Sequence, residues 1–263
     1  MSDAQKIANI RKNIFRMMNY SKSSHIGGAL SIVEILYTLY FKIIDVQKIR
    51  SHSEDRDIFI LSKGHNSSAL YSTFAEVGLI DRSFLDRYYI DDGLLPGHLD
   101  MTTIPYIECA AGSLGHGPGI GLGMAIAKTR KKLSGHVYVL VGDGECNEGS
   151  VWEAIMLAST LKQKNYTLII DFNHLQGMGR DVISQNNLSE RLHAFGFKCM
   201  DIDGNNPKEV EVALCNHDGP LAIVAHTIKG KGVSFTEDRL EWHYKSPNDE
   251  QLSIAIKELE QIK

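Results

Sequence analysis

Residues 137–177 read VYVLVGDGECNEGSVWEAIMLASTLKQKNYTLIIDFNHLQG, and this stretch constrains the fold more than any other. An apolar run, a glycine-flanked turn, a helical pattern over 148–161, a short connection and a second apolar run make a strand–helix–strand crossover. Such crossovers are right-handed in nearly all cases, and their strands are parallel. Both turns that follow the strands therefore open at one edge of the sheet. Asp143 stands just past the first strand and Asn173 just past the second, 30 residues later. Neighbouring strands lie about 5 Å apart, so the two side chains converge if the strands are adjacent. The carboxyl edge of an open α/β sheet is where such folds bind ligands.

The rest of the chain continues the alternation. Ile7, Ile10, Ile14, Phe15 and Met18 recur at helical spacing in residues 3–20, and Leu30, Val33, Leu36, Leu39, Tyr40 and Ile43 do so in 29–43. A short apolar strand over 57–62 precedes Gly64 and a helix from about 66 to 77, stopped by Gly78. Residues 81–110 are polar with turn signals at Asp92-Gly93 and Pro96-Gly97, which predicts a short helix and a long excursion. Long loops in compact domains are often functional. Six glycines occupy 112–123, and a helix is expected from Met124. Strands follow over 136–141, 166–172, 197–202 and 221–226, with helices over 207–215 and 248–262. Strands apolar throughout and alternating with helices indicate a parallel sheet covered on both faces. The fold class is α/β, a doubly wound, mainly parallel sheet. No repeat, low-complexity tract or linker divides the chain, so one domain is expected over residues 1–263.

Several classes of function drop out. A net charge of −4 gives no general attraction to nucleic acid or to an anionic membrane. No apolar run approaches the roughly 18 residues of a spanning helix, and the first residues mix charge into their apolar pattern, unlike a signal peptide. Cys109, Cys146, Cys199 and Cys215 are widely spaced, which fits reduced thiols in a cytoplasmic chain rather than a zinc cluster. The glycines of 112–123 are out of register with G-x-G-x-x-G, and no P-loop pattern occurs.

One carboxylate and one amide oxygen suit a hard cation such as Mg²⁺, which completes its shell with phosphate oxygens and water. The backbone carbonyl of Leu175 can add a third protein ligand. Gly142 and Gly144 leave room for a phosphate beside the backbone, and a helix starting near Glu148 would aim its N–H groups at that anion. The composite is a cradle for a magnesium diphosphate. Gly-Asp-Gly alone would equally suit a tight turn with a solvated Asp; Asn173 at the end of the next strand favours the cradle.

At this point the sequence resembles a known family. Gly142 to Gly177 is similar to the thiamine diphosphate signature, and other segments match the transketolase family in order. They are Ser24-His25-Ile26-Gly27-Gly28, Leu61-Ser62-Lys63-Gly64-His65, Pro96-Gly97-His98, Gly112-Ser113-Leu114-Gly115-His116-Gly117, Lys229-Gly230-Lys231-Gly232 and Trp242-His243. The likeness runs over roughly residues 10–250. One-chain transketolases are more than twice as long, so the chain resembles the N-terminal, diphosphate-binding subunit of a split transketolase. The resemblance implies transfer of a two-carbon ketol unit from a ketose to an aldose, with thiamine diphosphate and Mg²⁺, for which Ca²⁺ or Mn²⁺ can substitute. It implies a separate partner chain that binds the pyrimidine ring and supplies the activating glutamate, in an α2β2 heterotetramer, with sugars or sugar phosphates as substrates.

Residue by residue, the resemblance implies Asp143, Asn173 and the Leu175 carbonyl as metal ligands. His65 and Gly144 match diphosphate contacts, and Gly112 and Leu114 match the loop beside the cofactor rings. His25, His65, His98 and His243 match histidines around the reacting sugar oxygens, with His243 also near the cofactor. Glu148 matches a carboxylate of a network at the subunit interface. Histidines suit the task because ketol transfer moves protons near neutral pH. His226 is expected to be structural, and His52, His136, His174, His193 and His217 carry no case for function.

The departures concern sugar choice more than cofactor binding. Ile26 stands where the family has a turn-stiffening proline, Ser24 where it has glycine, His116 where it usually has glutamine, and Tyr244 where it commonly has glycine. Lys229 and Lys231 fit either a diphosphate or partner contact or a solvated loop, and the glycine run fits either ligand approach or close helix packing. Two other readings stay open: a different thiamine diphosphate enzyme, such as one like 1-deoxyxylulose-phosphate synthase, and a non-catalytic module on the same fold. The histidine set weighs against a 2-oxo acid dehydrogenase, and the intact Asp143/Asn173 pair weighs against the module.

Overall fold

The apolar runs become strands of one sheet. In the computed structural model, residues 1–216 and 219–262 are described; His217 lies outside them. The strands are β1 (Ile58–Leu61), β2 (Val137–Gly142), β3 (Tyr166–Phe172), β4 (Lys198–Asp203) and β5 (Leu221–His226). Their order is β1-β2-β3-β5-β4, and every neighbouring pair is parallel. The helices are α1 (Asp3–Ser21), α2 (Ile26–Ser31), α3 (Val33–Thr38), α4 (Val46–Arg50), α5 (Ser67–Glu76), α6 (His116–Lys131), α7 (Gly149–Thr160), α8 (Leu188–Ala194), α9 (Pro207–Leu214) and α10 (Asp249–Glu260).

Alternate strand residues feed two cores. Phe59, Leu61, Tyr138, Leu140, Ile169 and Ile223 pack against α1, α3, α5, α9 and α10. Ile58, Ile60, Val139, Val141, Leu168, Ile170 and Val224 pack against α6, α7 and α8. Burying both faces removes the polar alternation that a half-exposed strand would show. Each such side chain contributes about 1.5–3 kcal/mol of transfer free energy. Ser2 with Gln5, and Asn248 with Gln251, form capping boxes that start α1 and α10.

Several expectations need correction. Residues 29–43 are not one helix: the backbone breaks at Ile32, and a π-turn over Leu39–Ile43 ends the segment. Apolar spacing continues through the break, so periodicity alone could not register it. The helix expected from Met124 begins at His116, inside the glycine run. Gly117 and Gly121 are there for contact, since a Cβ would lie 2.4 Å from Ser62 Cβ and 2.4 Å from Val139 Cγ2. Packing against the strands outweighs the roughly 1 kcal/mol helix penalty of each glycine. A 3₁₀ turn over Gly144–Asn147 separates Asp143 from α7, which starts at Gly149. β4 is an edge strand with mostly exposed or half-exposed side chains, not an apolar one. The polar excursion holds a 3₁₀ turn, Arg82–Arg87, in place of the expected α-helix. Sequence reasoning also left out α4 and α8, both short. Among the described residues no helix is long and apolar enough to cross a membrane.

Candidate active site

The register of β2 on β3 decides whether the two turns meet. Gly142 pairs with Asp171, and the Asp143 N–H donates to the Asp171 carbonyl at 3.1 Å. Asp143 and Asn173 thus leave adjacent strands at the same edge. They line a cleft of about 380 Å³ at the carboxyl ends of β1, β2 and β3. His25, His65, His98, Gly112, Leu114, Gly144, Leu175 and His243 line it too. Every residue implied for catalysis, cofactor or metal therefore reaches one cleft. Glu148 does not: it is exposed and caps α7 without a side-chain bond. The residues of this turn that line the cleft are 142–145, and α7 starts four residues further on, at Gly149.

The oxygen donors are pre-ordered. Asp143 accepts N–H bonds from Gly144 (2.6 Å), His174 (2.7 Å) and Asn173 (3.2 Å). A carboxylate has about four acceptor positions, so one stays available. Asn173 Oδ1 accepts the Leu175 N–H at 3.0 Å, while its Nδ2 donates to Asp171 Oδ2 at 3.0 Å. That second bond fixes the amide so that oxygen, not nitrogen, is shared with the turn. With the Leu175 carbonyl, the set is all oxygen, and it fits Mg²⁺. Burial raises the Asp143 pKa, helped by the Asp171 charge and opposed by the Gly144 N–H bond; a cation would reverse that. Among the described residues no cluster of three His, Cys, Asp or Glu suits a metal, so an Asp–Asn–carbonyl set has no competitor of that kind.

Four histidine rings gather beside these oxygens. His25 lies 5.0 Å from His65, 5.1 Å from His243 and 6.4 Å from His98, centroid to centroid. The His25 backbone adopts φ 78°, unusual for a side-chain-bearing residue, and its N–H donates to the His243 carbonyl at 2.9 Å. Ser24 Oγ meets His25 Nδ1 at 2.9 Å, and Ile26, in the place of the family's proline, is fully buried. Burial pushes the His25 pKa down to about 4, helped by His98 and Lys229, and that of His243 down to about 3, helped by Lys229 and His25. Burial also lowers His65. The polar excursion is pinned over the cleft by Ser67 Oγ and Tyr71 Oη, which donate to the Gly97 (2.7 Å) and Pro96 (3.2 Å) carbonyls.

The remaining candidates separate. Lys229 is buried, donates to the Leu175 carbonyl at 2.5 Å and to His243 Nδ1 at 2.9 Å, and has its pKa lowered to about 8 by burial and Lys63. Lys231 instead pairs with Glu237 at 3.2 Å away from the cleft. His116 is exposed, with Nδ1 3.3 Å from the Leu114 carbonyl. His226 is exposed and pairs with Asp201 at 2.9 Å. His52 stacks on Tyr106, His136 meets Thr167, His174 meets Asp181 and His193 meets the Phe197 carbonyl.

Set beside known proteins, residues 2–259 match the family model of the transketolase thiamine diphosphate-binding domain. The chain belongs to the transketolase family. It is 37% identical over 254 residues to one of the subunits of the apulose-4-phosphate transketolase of Actinobacillus succinogenes, covering 95% of this chain and 92% of that one. It is 36% identical over 265 residues to a 6-deoxy-6-sulfo-D-fructose transketolase subunit of a Clostridium species, covering 98% and 96%. The crystal structure of transketolase from Campylobacter jejuni superposes with a TM-score of 0.89 at 27% identity, over 99% of this chain and 43% of that one.

Three acidic or basic residues of this transketolase domain escaped sequence reasoning. Asp171 is fully buried in β3 and accepts from Lys63, Thr227, Ser31 (2.8 Å) and Asn173 (3.0 Å). Lys63, inside the Leu-Ser-Lys-Gly-His motif, is its ion-pair partner. Glu145 accepts from Ser62 Oγ and from the N–H groups of Gly115 (2.8 Å) and Gly142 (3.2 Å), tying the ends of β1 and β2 to the glycine loop. Burial raises its pKa. Leu114 of the cleft lining and Met178, next to Gly177 of that lining, expose their apolar side chains, as do Val182 and Ile183 further along the same loop.

Proposed function

We propose that this chain is the diphosphate-binding subunit, over residues 1–263, of a two-chain transketolase that moves a two-carbon ketol unit from a ketose to an aldose. The observation that carries the reading is the meeting of an all-oxygen donor set with four histidines in one cleft. Asp143, Asn173 and the Leu175 carbonyl would hold Mg²⁺, with Ca²⁺ or Mn²⁺ as substitutes. His65 and Gly144 would contact the diphosphate, and Gly112 and Leu114 would flank the rings. Thiamine diphosphate, when bound, supplies carbanion stabilisation, the part of the chemistry that side chains cannot perform.

The protein orients and moves protons. Neutral histidines have one donor and one acceptor nitrogen. His243 accepts from Lys229 at Nδ1, which leaves Nε2–H to donate toward a sugar oxygen. His25, depressed to about 4, is neutral at pH 7 and can take a hydroxyl proton as the donor C–C bond breaks. His65 and His98 complete the ring of polar contacts around the substrate carbonyl and hydroxyls.

Names of the relatives, both subunits of transketolases, support a separate partner chain. That partner would bind the pyrimidine ring and supply the activating glutamate in a cytoplasmic α2β2 assembly. The exposed apolar side chains around the cleft suit such docking, and Glu148 would join the interface network.

A tagged chain recovered from its own host tests this. Mass spectrometry should find thiamine diphosphate and one stoichiometric partner, and Asp143→Ala or Asn173→Ala should lose the cofactor while keeping the partner. A chain recovered alone that takes up no cofactor from Mg²⁺ and excess thiamine diphosphate would overturn the proposal.

A further inference from the structure

Tyr244 is where the histidine cluster meets solvent. It follows the 3₁₀ turn Leu240–His243, and its N–H donates to the Glu241 carbonyl at 3.1 Å. Its ring stands edge-on to His243 with centroids 4.7 Å apart, and lies 6.4 Å from His25. A Cβ built on Gly177 would lie 2.8 Å from Tyr244 Oη and 3.3 Å from His243 Nε2. The phenol therefore reaches from the histidines to the loop that follows Asn173. Gly177 and both histidines line the cleft, which puts Tyr244 on its rim. The residue is 62% exposed, so it adds little to the core.

Space is what this position controls. A sugar whose reacting oxygens met His25 and His243 and which ran outward from them would pass the Tyr244 ring, 4.7 Å from His243 and 6.4 Å from His25. We infer that Tyr244 is a specificity-determining residue, an aromatic wall that limits how long a sugar chain the site accepts beyond the histidines. The inference rests on the transferase reading above and adds a substrate class to it: short-chain aldehydes are favoured over extended sugar phosphates.

The test uses the assembly recovered through the tagged chain, supplied with thiamine diphosphate and Mg²⁺, and hydroxypyruvate as ketol donor. The donor's C1–C2 bond breaks, CO₂ leaves, C2 of the remaining two-carbon unit bonds to the acceptor aldehyde carbon, and the new alkoxide takes a proton from solvent. Acceptors are glycolaldehyde and ribose 5-phosphate. Tyr244→Gly should raise the ratio of kcat/KM for ribose 5-phosphate over glycolaldehyde about tenfold or more, the scale of one reshaped pocket contact. Tyr244→Phe, which keeps the ring, should hold the wild-type ratio, and bound thiamine diphosphate per chain should be equal in all three. An active Tyr244→Gly assembly with an unchanged ratio would overturn the wall and leave the transferase reading standing. An equal shift in Tyr244→Phe would also overturn it, since the hydroxyl and not the bulk would then discriminate. A wild-type assembly that holds no cofactor, or that uses hydroxypyruvate with neither acceptor, would bring down the transferase reading and this inference with it.

Discussion

Replacing Asp171 by Asn should damage the fold and the metal site together. The carboxylate is fully buried and takes four donors: the Lys63 ammonium, the hydroxyls of Ser31 and Thr227, and the Asn173 amide. An Asn there offers one oxygen and turns an NH₂ toward groups that are themselves donors. The hydroxyls can rotate away; Lys63, 3% exposed at the floor of the cleft, would keep a largely desolvated ammonium without its counter-charge. Removing one partner of a buried pair costs about 3–5 kcal/mol. At about 2–4 °C per kcal/mol for a domain of this size, the melting temperature should fall by about 10 °C. Lys63→Met alone should also destabilise, but adding it to Asp171→Asn removes the stranded charge. The double variant should then be more stable than the sum of the singles by about 2 kcal/mol, within the range of coupling between contacting residues. Urea unfolding of the four proteins, followed by circular dichroism, completes the cycle. Asp171→Asn costing under about 1 kcal/mol, or strict additivity in the double variant, would refute a charge-paired Asp171. Metal-dependent cofactor retention should fall in parallel, because Asn173 loses the bond that fixes its amide.

Glu145→Ala should cost about 2–5 kcal/mol, since the Gly115 and Gly142 N–H groups lose their acceptor at about 1–3 kcal/mol each; Glu145→Gln should cost less, and equal denaturation midpoints for wild type and Glu145→Ala would disprove the clamp. Gly115→Ala should lose about 2 kcal/mol, because φ is 82° and the new Cβ would lie 2.6 Å from Glu148 Cβ; thermal melts would read it. Chelation of the assembled protein should release thiamine diphosphate on gel filtration, and Mg²⁺, Ca²⁺ or Mn²⁺ should restore it; retention in excess chelator would exclude a metal bridge. Acid should unfold the chain early. His25 and His243 are depressed to about 4 and 3, so below their unfolded value of about 6.5 the unfolded state binds more protons. Stability is then full above about pH 6.5 and falls as pH drops toward 4 and 3. A midpoint flat between pH 7 and 5 would contradict this.

The crossover made Asp143 and Asn173 legible, because a right-handed connection fixes which ends of two strands coincide. The histidines were legible through motif order, which stands in for three-dimensional proximity that spacing cannot supply: His25 and His243 are far apart in sequence yet touch through a backbone bond. Asp171 was missed although it left a signal. A carboxylate inside an apolar run of a sheet buried on both faces must have a partner, and Lys63 stands just past the end of another strand of that sheet. Glu145 left less, since after Gly-Asp-Gly it reads as one more turn residue. Lys229 and Lys231 look alike in sequence, both beside glycine, and only tertiary packing sends one into the cleft and the other to Glu237. The glycine helix α6 was hidden by propensity, which packing against Ser62 and Val139 overrode.

The two buried lysines of the cleft differ in what they are paired with, and that difference argues for an anion in the cleft. Lys63 is neutralised by Asp171. Lys229 donates to a carbonyl and an imidazole, neither of which carries the opposing charge. Burying such an ammonium is expensive, and the cost shows in its depressed pKa. A fold does not need this arrangement: a Met of similar length would fill the space. It makes physical sense if the cleft is completed by an anion, and a diphosphate held in this cleft would provide negative charge near Nζ. The same anion would offset the repulsion between Nζ and a cation at the Leu175 carbonyl, the acceptor of the Lys229 ammonium, so each of the two cations would favour the diphosphate. On this reasoning the cost of burying Lys229 would be the counterpart of cofactor affinity, and the turns after β2 and β3, ordered by the Asp143 and Asn173 hydrogen bonds, would need little rearrangement to hold a metal beside it.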